Sequence, residues 1–223
     1  MSGDLVEADF AGESWVEIRP LETLGTFGDT SGEVTFGEVG NGRVRKLKGL
    51  RDAGNMEVVA AIDYSDPGQI AVLAAERTPH NYAFRLLLND APAEKSNAVT
   101  LSIAAPGVVS WTGHGLAVGT PVKFSTTGAL PTGLTAGTTY YVAASGLTSD
   151  EFSVAATRGG SAITTTGTQS GTHTATTVPM GSERFFAAKV MSAAENLDAA
   201  DNVMKLNMQL GIDSNVVRVN AIG

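Results

Sequence analysis

His80, His114 and His173 are the only imidazoles in a chain of 223 residues that contains no cysteine. Thiolate zinc sites, iron–sulfur centres, disulfide scaffolds and cysteine nucleophiles are therefore excluded together. His114 and His173 share one stretch of the chain, whose nearest carboxylates are Asp150 and Glu151. A metal centre needs more ligands at workable spacing, so turn or inter-strand histidines are the simpler reading. Ser110 precedes His114 closely, yet neither a Gly-x-Ser-x-Gly turn nor a third triad member accompanies them. Gly113-His114-Gly115 and Gly159-Gly160 are not followed by helical patterns, which removes a phosphate-cradling role. The expectation is a protein with no catalytic residues, no cofactor and no metal.

Charge is the second chemical signal. The basic cluster Arg43, Arg45, Lys46, Lys48 and Arg51 follows a stretch, Asp4 to Glu38, in which nine acids meet one base, Arg19. A solvated hairpin face accounts for such a cluster. Subunit pairing accounts for it too, with a positive edge meeting the negative edge of an identical neighbour. Nucleic-acid binding fits less well, because no aromatics interleave the bases and the formal net charge is −8.

The elements that carry these residues read mainly as β-strands. Met56, Val58, Ala60 and Ile62 share one face at period two, with Glu57 and Asp63 opposite, as do Tyr82, Phe84, Leu86 and Leu88, with Arg85 and Asn89 outside. Phe186, Ala188 and Val190 form a shorter series, and Met204, Leu206, Met208 and Leu210 the clearest one. Val34 to Val39 and Arg43 to Leu47 flank Gly40-Asn41-Gly42, a hairpin signal. One helix is expected: Asp66 caps, Pro67 takes the first helical position, and Gln69 stands where a capping box would have it. Ile70, Leu73, Ala74 and Arg77 follow at helical spacing, and Pro79 ends the segment. The helix should lie on the open face of the sheet.

Composition marks an insertion. From Asn97 to Val178 only Lys123, Asp150, Glu151 and Arg158 are charged, and threonine and glycine abound. Short strands are expected at 108–111, 121–125, 138–143, 151–155, 162–165 and 172–176, a spacing that suits a small sandwich or barrel. The predicted organisation is a discontinuous core, 1–96 and 179–223, interrupted by a small all-β domain at 97–178. Apolar runs are too short for a membrane helix, and Met1-Ser2-Gly3-Asp4 lacks the features of a signal peptide. A soluble product made in a cytoplasm is expected.

The flanks resemble a phage major tail protein, the tail-tube subunit of long non-contractile siphophage tails. The resemblance is carried by Gly32-Glu33-Val34-Thr35-Phe36, the run Arg45 to Val58, Asp66-Pro67-Gly68-Gln69 and Tyr82 to Leu86. Phe185 to Val190 and Asp201 to Leu206 complete it. The block 98–177 resembles a small Ig-like β domain found inserted in phage structural proteins, through Val109 to Leu116, Gly128 to Val142 and Gly167 to Thr174.

This resemblance implies a mainly β fold, an antiparallel sandwich or barrel core with one amphipathic helix. It implies hexameric rings stacked into a hollow tube in the virion, assembled in the host cytoplasm, with the insert on the exterior. Partners would be further copies, the tape measure, tail terminator and baseplate initiator proteins, and genomic DNA passing without specific binding; no membrane partner is implied. The basic cluster would belong to the ring-stacking hairpin. Glu33, Glu38, Glu57 and Asp63 would face the lumen, where acid repels the phosphate backbone. The alternatives are an adhesin-like module contacting host polysaccharide through the surface aromatics Trp111, Tyr140 and Tyr141, and the tube of a contractile tail or secretion machine.

Overall fold

The computed structural model describes residues 4–40, 42–197 and 202–223. Asn41 of the expected turn and Asp201 of the family-like closing stretch lie outside the described residues. The chain forms two compact units, one of residues 1–86 and 184–219, the other of residues 87–183 and 220–223. The second unit therefore begins and ends outside the compositional block at 97–178. The flanking residues carry charge but pair with the unit's own backbone: Leu88 N–H donates to the Ser182 carbonyl, and Met180 and Ile222 exchange both backbone bonds.

The first unit is built on a six-stranded sheet. Its path runs β1 (Leu21–Leu24), β4 (Asn55–Ala61), β14 (Lys205–Ile212), β13 (Glu183–Asn196) and β15 (Val217–Val219), with β5 (Tyr82–Leu87) also paired to β13. All the registered pairs are antiparallel. Met56, Val58 and Ala60 pack with Phe186, Ala188 and Val190 and with Leu206, Met208 and Leu210 in one buried cluster. Period two thus sends the expected apolar set inward. Met204 departs from its series and is exposed, because the strand begins only at Lys205.

Helix α1 (Pro67–Glu76) covers the core face of this sheet. Asp66 caps it, its carboxylate accepting from Gln69 N–H at 2.8 Å. The reciprocal half of a capping box is absent, since the Gln69 amide reaches elsewhere. Its oxygen accepts from Asp63 N–H, and its nitrogen donates to the carbonyls of Arg19 and Ala61. The buried stripe is Gly68, Gln69, Val72 and Ala75, whereas Ile70 is exposed and Ala74 faces solvent. Of the expected stripe on Ile70, Leu73, Ala74 and Arg77, only Leu73 packs against the core, and the other three are exposed. Both stripes have helical spacing, and the close approach of Gly68 to the Glu17–Ile18 backbone selects the rotation.

The second unit holds a seven-stranded sheet. Its order is β10 (Glu151–Phe152), β7 (Val109–Ser110), β6 (Ser96–Leu101), β12 (His173–Thr177), β8 (Pro121–Thr126), β9 (Thr139–Val142) and β11 (Val154–Ala155). The two ends of that path, β10 and β11, are separated in sequence by Ser153 alone. The sheet thus curls into a nearly closed barrel, which hides most of the edge that an open sheet would offer. Strand β6 is an addition to the expected set, and 162–165 contributes only the single bridge Ala155–Ala162. The barrel interior is filled by Val99, Val109, Phe124, Val142, Phe152 and their neighbours.

Candidate assembly surface

Among the described residues, strands β2 (Thr30–Phe36) and β3 (Arg45–Asp52) pair with each other and with no other strand, forming a separate two-stranded sheet. Almost every residue in both is exposed. Opposed pairs share a face, so the register sorts the side chains. Val34 opposite Leu47 and Phe36 opposite Arg45 make one face; Glu33 opposite Lys48 and Thr35 opposite Lys46 make the other. A bulge opposite Gly32 then shifts the register, and Leu50, beside it, stands 93% exposed. Val34, Phe36 and Leu47 are each more than half exposed, as is Val44 near the tip.

The five bases of the cluster are all on this hairpin but do not act alike. Lys46 Nζ pairs with Glu33 at 2.9 Å, and Arg51 pairs with Asp29 at 2.6 Å. Among the described residues, Arg43, Arg45 and Lys48 make no ion pair. Exposed pairs of this kind add little to stability. Their effect is to spend two of the five charges inside the chain.

The four candidate lumen acids lie on different elements. Glu33 sits on the hairpin's polar face, and Glu38 in its connecting loop. Asp63 follows β4, where its carboxylate accepts from the Ser65 hydroxyl and N–H, which hold it below the usual aspartate range. Glu57 alone lies on the sheet face turned away from α1. There it stands opposite Gln209, which in turn opposes Ser192, and the next row holds Val59, Asn207 and Ala194. The two lysines of this face are neutralised, Lys189 by Asp213 at 2.6 Å and Lys205 by Glu22 at 2.9 Å. The result is an amide- and alanine-rich surface with a single unpaired carboxylate per chain among the described residues.

For the aromatics of the insert, core packing replaces the surface role that the polysaccharide-binding alternative gave them. Trp111 and Tyr140 are buried in the barrel core, and Tyr141 is half-buried. Tyr140 alternates inward with Val142, and its hydroxyl accepts from Thr135 N–H at 2.8 Å. His114 and His173 are buried as well. His114 Nδ1 accepts from Leu116 N–H, and His173 Nδ1 lies 2.8 Å from the Thr126 hydroxyl. Asp150 accepts from Gly113 N–H, holding the turn before His114. Among the described residues, no group of three His, Asp or Glu side chains could hold a metal ion, and no helix is long and apolar enough to cross a membrane.

Sequence reasoning missed Val34, Phe36, Leu47 and Leu50 as surface residues. An apolar strand residue reads the same in sequence whether or not anything covers it, and only the separation of the hairpin from the main sheet reveals these as exposed. The chain matches no protein-family model and no curated protein.

Proposed function

We propose that the chain is the tail-tube subunit of a non-contractile phage tail, a structural virion protein. Copies form hexameric rings that stack into a hollow conduit for genomic DNA. The observation that supports this reading is the β2–β3 hairpin, a self-paired sheet that leaves an apolar face and a basic tip uncovered. An exposed apolar strand pair is a liability for a monomer and an asset for a chain meant to meet copies of itself. The sheet face carrying Glu57, Asn207 and Gln209 suits the channel wall. It offers amides and a carboxylate, and its two lysines, Lys189 and Lys205, are already paired with Asp213 and Glu22, which weakens its hold on phosphates. The barrel unit is dispensable for tube formation.

Electron microscopy of concentrated purified protein tests this. Rings or tubes are expected. Monodisperse particles that bind polysaccharide would favour the adhesin reading instead.

A further inference from the structure

We infer that a notch beside helix α1 is a docking site for a basic peptide segment of a second protein, one that presents an aliphatic side chain next to a lysine or arginine. The notch lies where α1 meets the end of β4 and the paired ends of β13 and β14. Its volume is about 40 Å³; Ile62, Leu73 and Leu206, packed into the core, form its floor, and Tyr64 and Ile70 its walls. A cavity needs roughly 10–15 Å³ to hold one water, so this one has room for a single small aliphatic group. The walls are uncovered: Tyr64 is two-thirds exposed and Ile70 more than half. The apolar surface continues to Met204, which is also exposed and whose carbonyl accepts from Ile62 N–H, and Ala74, one turn on from Ile70, extends it along the helix. Contiguous apolar surface of this kind marks a contact site.

Charge selects the partner. Two carboxylates, Glu195 and Asp63, line the notch, and no base does. Glu195 stands opposite Leu206, hence on the α1 side of the sheet, where it is exposed and forms no ion pair among the described residues. Asp63 stays ionised at neutral pH, since the bonds from Ser65 favour its charged form. Lys205, next to Leu206, points to the opposite face and is held there by Glu22. An aliphatic side chain in the notch with a cation beside it therefore supplies what this surface lacks, whereas an acidic partner or a wholly polar one does not. The partner's position rests on the tail-tube reading. If the sheet face turned away from α1 lines the channel, the notch opens on the outer side of the tube, toward proteins that attach there.

Amide NMR of the isotope-labelled full chain, kept dilute enough to stay unassembled, tests the site against the blocked peptides Gly-Arg-Leu-Arg-Gly, Gly-Arg-Ser-Arg-Gly and Gly-Glu-Leu-Glu-Gly. The Arg-Leu-Arg peptide should shift Tyr64, Ile70 and Glu195 and bind at least about fivefold tighter than the other two, because it alone brings both the apolar group and the cation. Ile70→Ser and Glu195→Lys, both at exposed positions, should melt like the parent and each lose that preference. Tubes pelleted from the parent should carry down a fluorescent form of the same peptide. Equal shifts from all three peptides, or none, overturn the site and leave the tube reading standing. So do tubes that leave the peptide in solution, or shifts at the same residues when the chain alone is concentrated, since a second copy then covers the face. A chain that shows the peptide preference yet forms no rings or tubes upholds the notch and overturns the tube reading.

Discussion

Replacing Gln69 tests how the first unit holds its helix to its sheet. The side chain is almost fully buried, and it closes three backbone gaps at once: Asp63 N–H at 3.1 Å, the Arg19 carbonyl at 2.6 Å and the Ala61 carbonyl at 2.8 Å. These groups belong to the segment before β1, the end of β4 and the turn into α1, so one amide ties three pieces of chain. Gln69→Ala leaves all three without that partner. An orphaned buried group costs about 1–3 kcal/mol, and since each bond is only part-buried the lower end applies. The expected loss is roughly 3 kcal/mol, which for a unit of this size lowers its melting temperature by roughly 10 °C. Gln69→Met separates packing from hydrogen bonding: it refills the volume, makes none of the bonds, and should lose nearly as much. Gln69→Glu should be no better, because it sets a carboxylate oxygen against two carbonyls. Calorimetry and urea titration of the three variants read the effect. A loss below about 1 kcal/mol in both the alanine and methionine variants would refute the reasoning, since any one of the three orphaned groups should cost that much.

Four further outcomes are expected. Gly68→Ala should destabilise by about 1–3 kcal/mol through overpacking, despite the gain alanine brings at open helix positions, because its Cβ would collide with the Glu17 carbonyl and lie 2.6 Å from Ile18 Cα; a higher melting temperature would contradict this. In the second unit, Trp111→Ala should cost about 3–5 kcal/mol as a core truncation. Tyr140→Phe should cost about 1–2 kcal/mol for the lost Thr135 bond, and unchanged unfolding midpoints would return both aromatics to the surface. Asp213 is held below its ordinary value of 3.8 by the hydrogen bond from Lys189, then by that from Asn81. A depressed folded value means its contribution is present above the unfolded value and fades as pH falls through the folded one. Carboxyl NMR should show Asp213 titrating low and moving up in Lys189→Met; a titration at the ordinary value in the parent would count against the pairing.

Alternation along a strand is a property of the backbone, so the sequence alone determined which residues share a face. Met56, Val58 and Ala60, the Phe186 series, and Leu206, Met208 and Leu210 were all legible for that reason, and all are buried. The cap at Asp66 was legible too, because it depends on residues three apart. What alternation cannot state is whether anything lies against the face it defines. The strand pattern of Val34, Phe36 and Leu47 does not tell core from surface, and they are exposed; Trp111 and Tyr140 fitted core packing at least as well as a surface role, and they are core. The rotation of α1 was set by the backbone at Glu17, some fifty residues upstream of Gly68. Closure of the barrel depended on β10 and β11 pairing with different partners on either side of Ser153. Each of these was decided by segments distant in sequence meeting in space, where burial and close approach select among arrangements that local pattern leaves equal.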